Sequence, residues 1–157
     1  MEQKTCICPK LDKRDWDRKM HAWKEKVFYK EHYSSLFYIP LGFGEIMERA
    51  IPMLMEKGLF EENGLILCRN EGMWGGDAYI ELKKDAPSIN TQRISGNFFS
   101  MYFEGSYKET GKQMQALREH CKKNGMDVKE VLSYYATCPE CIKKYGKTQT
   151  VLFARID

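Results

Sequence analysis

The chain has 157 residues, 43% of them apolar and 30% charged, and a formal net charge of +3. That length permits one domain with a sizeable core, an aromatic share of 13% argues against disorder, and so weakly basic a charge argues nothing strong about partners. No apolar run approaches the roughly 18 residues of a membrane helix, so no membrane span is expected. The opening Met1-Glu2-Gln3-Lys4-Thr5 lacks the apolar core of a signal peptide, and a cytoplasmic location is expected. There the six cysteines are expected as reduced thiols or metal ligands rather than disulfides.

Residues 1–34 are charged, with Trp16, Trp23, Phe28, Tyr29 and Tyr33 fitting neither helical nor strand spacing. They read as an N-terminal arm that lays aromatics over the domain, although Lys26 to Tyr33 could form an edge strand. Ser35 to Leu41 reads as a strand and Gly42-Phe43-Gly44 as a break. Glu45 to Gly58 carries Ile46, Met47, Ala50, Ile51, Leu54 and Met55 at helical spacing, with Pro52 inside it and Gly58 as its stop. Leu65 to Asn70 is a short apolar run, Gly72 to Gly76 a hairpin-like link, and Asp77 to Lys83 alternates like a strand with two different faces. Residues 85–93 read as a linker. The order then repeats: strand Ile94 to Glu104, break at Gly105, helix Lys108 to Asn124 with Met114, Leu117 and Cys121 on one face, then strands Val131 to Thr137 and Val151 to Ile156. A shift of 63 residues sets Gly42 on Gly105, Ile51 on Met114 and Leu54 on Leu117.

The expected fold class is therefore α+β, a single domain over 1–157. Two pseudo-symmetric strand–helix–strand–strand units, 35–84 and 94–157, would form one curved sheet with helices on one face. Pairing the units through their first strands would remove an exposed edge from each and leave a groove on the opposite face.

The passage Phe98-Phe99-Ser100-Met101-Tyr102-Phe103-Glu104-Gly105-Ser106-Tyr107, a strand, a Gly-x-Tyr turn and a helix start, resembles the opening of the second copy in the GyrI-like small-molecule-binding family. The stretch from Tyr134 through Cys138-Pro139-Glu140-Cys141 and Tyr145-Gly146-Lys147 to Ala154 also looks like a bacterial subgroup labelled as hydrolases. The resemblance covers roughly residues 35–157. It implies binding of drug-like, often cationic amphipathic molecules in the central groove. Some members hydrolyse reactive cyclopropane-containing compounds and place a Glu two residues before a strand Tyr. Aligned on Pro139, that Tyr is Tyr135 and the Glu position is Ser133, which weakens the transfer of that particular activity.

Tyr38, Trp74, Tyr79, Phe98, Tyr102 and Tyr134 lie on or beside predicted strands, and Glu81 and Glu104 share the strand faces of Tyr79 and Tyr102. A carboxylate ringed by aromatics would attract an organic cation, and desolvation would raise its pKa toward the range of a general acid or base. These residues are the expected ligand-binding set. The leading function is stand-alone binding of small amphipathic molecules, cationic ones among them. The alternative is a hydrolase acting on a small reactive or xenobiotic compound in the same groove, with Glu104 or Glu81 activating water and Tyr134 or Tyr102 orienting the substrate. No organic cofactor is expected. Cys138 and Cys141, joined by Cys6 and Cys8, could complete a four-thiolate zinc site in a metal-stabilised module. Lysines interspersed with acids give no basic stripe, so no nucleic acid is expected; the partner is a small organic ligand, and the chain a monomer or homodimer. His21, near Trp23, could close over the groove.

Overall fold

The computed structural model describes residues 11–36, 39–40, 43–62, 64–70, 75–105, 107–135 and 147–157. Its elements in order are α1 (Lys13–Trp16), β1 (Lys19–Leu36), β2 (Ile39–Pro40), α2 (Phe43–Glu56), β3 (Ile66–Asn70), β4 (Gly75–Glu81), β5 (Thr91–Gly105), a short 3-10 turn (Tyr107–Glu109), α3 (Thr110–Lys123), β6 (Glu130–Tyr135) and β7 (Thr148–Arg155). The chain divides into a middle unit, residues 22–96, and a terminal unit, residues 1–21 with 97–157.

Most of the described part of the segment expected as an arm is strand, residues 19–34 of β1. Its period is hidden by Glu25, which has a φ of +48° inside β1. A left-handed residue within a strand shifts the alternation by one, as a β-bulge does. Trp23 and Phe28, an odd number of residues apart, can therefore share a face, and their rings stand 6.5 Å apart. The Glu25 amide donates to Ser95 Oγ at 2.8 Å. From Phe28 onward the alternation is regular, and β1 pairs antiparallel with β4 from Phe28 opposite Glu81 to Ser34 opposite Gly75. Strand β3 pairs antiparallel with the other edge of β4, Leu67 opposite Tyr79. Of the strand expected over 35–41, Ser35 and Leu36 end β1 and Ile39–Pro40 form β2, which pairs back on them antiparallel.

Helix α2 lies close to its expected span, and Gly58 ends it with a φ of +68°. Pro52 sits inside the helix on an exposed position, where it withholds one donor from the ladder. Gly75 and Gly76, read from sequence as link residues, are the start of β4. A Cβ on Gly76 would come within 2.7 Å of Tyr33 Oη, so the bare position makes room for the buried Tyr33 ring on the paired strand.

In the terminal unit β7 is central. It pairs antiparallel with β5, Phe98 opposite Arg155 through Gly105 opposite Thr148, and with β6, Glu130 opposite Arg155 through Tyr135 opposite Thr150. One face of these strands carries α3: Phe99, Leu117, Cys121, Leu152 and Ala154 form a buried cluster, edged by Met101, Phe103, Met114 and Val131. Gly125, with a φ of +72°, follows the helix end.

The expected α+β class, one curved sheet with a helical layer on one face, is corrected. Among the described residues, strands make up 48%, the strand pairings within each unit are antiparallel, and the helices are few and short, the longer two having 14 residues each. The physical reason is strand length. The 18 residues of β1 and 15 of β5 take up chain that was assigned to arm and linker, so antiparallel strands and not helices dominate the architecture. No described helix is long and apolar enough to cross a membrane.

Leu117 is fully buried beneath α3. Leu117→Ala should lower unfolding free energy by about 2–5 kcal/mol, read as a fall in the urea midpoint; a loss within noise would show that α3 is not packed on β5 and β7.

Candidate functional site

Because strand side chains alternate, the residues of β5 that do not meet α3 emerge on the opposite face. They are Phe98, Ser100, Tyr102 and Glu104. The register sets Ser100 beside Phe153 and Tyr102 beside Val151, while Leu132 and Tyr134 flank the same residues from β6. Four of the expected ligand residues, Phe98, Tyr102, Glu104 and Tyr134, are thus gathered on one face of the terminal unit. Ser133, at the position where the resembling hydrolases carry Glu, falls on the α3 side of β6 with Val131. Its buried hydroxyl has no hydrogen-bond partner among the described residues.

An aromatic group lies over this face. The Trp16 ring stands 5.8 Å from that of Tyr134 and 6.1 Å, edge-on, from Phe153. His21 stacks on Trp16 at 6.0 Å and meets Phe153 at 5.3 Å. His21 is the residue that the sequence offers for closing over such a surface; no spacing in the sequence points to Trp16 or Phe153 there.

His21 and Ser100 look at first like a base and nucleophile, with Nε2 and Oγ 2.8 Å apart. The hydroxyl has one proton, and the Trp16 carbonyl at 2.6 Å, which can only accept, is the nearest group to take it, with the Lys19 carbonyl farther off at 3.4 Å. The contact with His21 is then an Nε2–H donating to Oγ. Ser100 is also 0% exposed. Its proton is committed to a carbonyl rather than a base, so the pair organises the aromatic cluster instead of activating a nucleophile.

A polar chain runs along the edge of the face. The Tyr102 hydroxyl donates to Glu104 Oε1 at 2.8 Å and accepts from Gln149 Nε2 at 2.8 Å. Lys147 Nζ donates to Glu104 Oε2 at 2.7 Å. Lys147 first, then the Tyr102 hydroxyl, hold the Glu104 carboxyl below its ordinary value, the reverse of the rise expected from desolvation. The carboxylate side chain is 43% exposed, so water and an ammonium group both reach it and the ionised form is favoured. Tyr102 moves the other way: burial, then its bond to the Glu104 carboxylate, push the phenol up to about 12.

Tyr79 and Glu81 belong to the middle unit, on one face of β4. Tyr79 is fully buried, its ring 6.2 Å from Phe28 and beneath the Arg69 guanidinium at 5.6 Å. Glu81 accepts from Lys26 and from the Leu65 amide at 3.0 Å, and its side chain is only 13% exposed. It joins the approach to β3 with β1 while its charge is met by Lys26. The neighbouring Asp77 faces Lys30 at 3.7 Å and His32 at 3.3 Å. Tyr38 and Trp74, and Cys6, Cys8, Cys138 and Cys141 of the expected zinc site, lie outside the described residues. Cys68 and Cys121 are buried free thiols, and burial raises both above the usual thiol range.

The sequence matches the bacterial hydrolase family over residues 1–156, and the chain belongs to that family. Among solved structures, the C-terminal domain of EcmrR superposes with a TM-score of 0.68 at 11% identity, over 90% of this chain and 98% of that one. SAV2435 bound to tetraphenylphosphonium superposes with a TM-score of 0.56 at 11% identity, over 90% of this chain and 94% of that one. At such identities the likeness is one of fold. No protein with a curated description matches the sequence.

The phenol of Tyr102 titrates from an ordinary 10 to about 12 on folding. The protonated form is favoured by the fold, so this contribution to stability is complete below pH 10 and is lost as pH rises toward 12. Tyr102→Phe removes it. The stability difference between wild type and Tyr102→Phe should shrink across that window in urea unfolding at stepped pH; a flat difference would reject a buried, Glu104-bonded phenol.

Proposed function

We propose that this chain binds small amphipathic organic molecules on the aromatic face of the terminal unit, opposite α3. The observation that carries the reading is the convergence of Tyr134, Phe153 and Tyr102 on a face bordered by an ionised carboxylate, Glu104. Rings supply apolar area and negative π-faces, and a rim carboxylate favours a positive substituent. Family membership, the GyrI-like resemblance and the fold shared with a protein bound to tetraphenylphosphonium support the same reading. Glu104 already has Lys147, and Glu81 in the middle unit already has Lys26. Ring contact rather than an unpaired acid therefore carries most of the affinity, and cationic charge is a preference more than a requirement.

Titration with tetraphenylphosphonium tests this. Wild type should bind it saturably. Tyr134→Ala should weaken binding by about threefold to thirtyfold, the scale of a lost cation–π contact, and Glu104→Gln by less. Full affinity in Tyr134→Ala, or no binding either by wild type or by a folded variant lacking the Trp16 ring, would refute the assignment.

The family description favours a second reading, hydrolysis of a small reactive or xenobiotic compound on the same face. There Glu104 would activate water and Tyr134 orient the substrate. An enzyme gives product in excess of protein and loses it in Glu104→Gln; a binder gives a stoichiometric signal only.

A further inference from the structure

Trp16 reaches the aromatic face from an element with little hold of its own. Helix α1 has four residues and buries none of them. What keeps the segment in place is a row of polar pins to the strands of the terminal unit. The Leu11 amide donates to Gln149 Oε1 at 3.1 Å, and the Leu11 carbonyl accepts from Gln149 Nε2 at 3.2 Å, so one side-chain amide stands in for a paired strand. The Trp16 carbonyl accepts from Ser100 at 2.6 Å. The Asp17 carboxylate accepts from the Tyr102 amide at 3.1 Å. Immediately after the pins, Arg18 has a φ of +55°, an uncommon conformation for a residue with a side chain and one that persists where surrounding contacts enforce it.

From these contacts we infer that residues 11–18 form a strap whose Trp16 ring occupies the binding face in place of a ligand, and that a bound molecule displaces it. The inference rests on the proposed binding face. A ring at contact distance from Tyr134 and Phe153 takes the positions that a ligand's own ring would take. The pins are hydrogen bonds at a partly exposed rim, each replaceable by water, and relaxation of Arg18 favours release. Gln149 joins Leu11 to Tyr102, and Tyr102 joins it to Glu104. Release of the strap thus frees part of the amide that bonds the Tyr102 hydroxyl. The apparent affinity of such a site is its intrinsic affinity multiplied by the fraction of molecules with the strap released.

The test uses the intact chain, tetraphenylphosphonium as probe, and two variants that change the strap and leave the strands alone. Trp16→Ala removes the plug and should bind about tenfold tighter than wild type; Asp17→Ala keeps the plug, removes one pin and should bind about threefold tighter. Saturating probe on wild type should speed hydrogen exchange at the Tyr102 amide, the donor to Asp17, and shift the Trp16 indole N–H resonance. Binding by Trp16→Ala where wild type shows none supports the strap in its strongest form. Weaker binding by both variants, with Tyr102 exchange unchanged by the probe, overturns the strap, makes Trp16 a fixed wall of the site, and leaves the binding reading standing. Absence of binding in wild type and in both folded variants removes the binding face and the strap with it. Should Trp16→Ala fail to fold, Asp17→Ala and the wild-type exchange measurement decide the matter.

Discussion

Phe99, Met101 and Phe103 leave β5 toward α3, and the pleat then sends Phe98, Ser100, Tyr102 and Glu104 out of the opposite side. Everything proposed for the terminal unit depends on that division. The α3 side is filled by Leu117, Cys121, Leu152 and Ala154 and behaves as ordinary core. The other side mixes rings with a hydroxyl and a carboxylate, and the Trp16 and His21 rings lie against it. A register slip of one residue in β5 would exchange the two faces, burying Glu104 under the helix and exposing Phe99.

Electrostatics gives the acids different work from that suggested by their neighbours alone. A carboxylate beside aromatic residues invites the expectation of a desolvated, raised pKa. Glu104 is held low because Lys147 and the Tyr102 hydroxyl both favour its charged form, and Glu81 is tied to Lys26 and a backbone amide. The same local device recurs on β1, where the Tyr29 hydroxyl donates to Glu31 at 2.7 Å and Arg49 of α2 completes the pair. A Tyr two residues before a Glu on a strand brings phenol and carboxylate together because both leave the same face. Tyr79 and Glu81 have that spacing too, but Tyr79 is packed between Phe28 and Arg69 while Glu81 turns to Lys26 and Leu65.

Several features were written locally. The two long helices and their glycine ends follow from apolar spacing and from left-handed turns at Gly58 and Gly125. Tyr102, Glu104 and Tyr134 were legible as site candidates because they alternate on strands. The bulge at Glu25 was not: positive φ at a charged residue leaves no compositional mark, so β1 looked like an irregular arm. Ser100 and Gln149 could have been found by extending the alternation of β5 and β7 to their polar members.

The sequence by itself determined where most strands and both long helices run, and which β5 residues must share a face, since these depend on spacing along the chain. Only the tertiary structure decided that Trp16 covers Tyr134 and Phe153, that Ser100 spends its proton on the Trp16 carbonyl, and that Lys147 keeps Glu104 ionised. Those contacts join segments far apart in sequence. Their partners are chosen by register and packing in three dimensions, which no local period records.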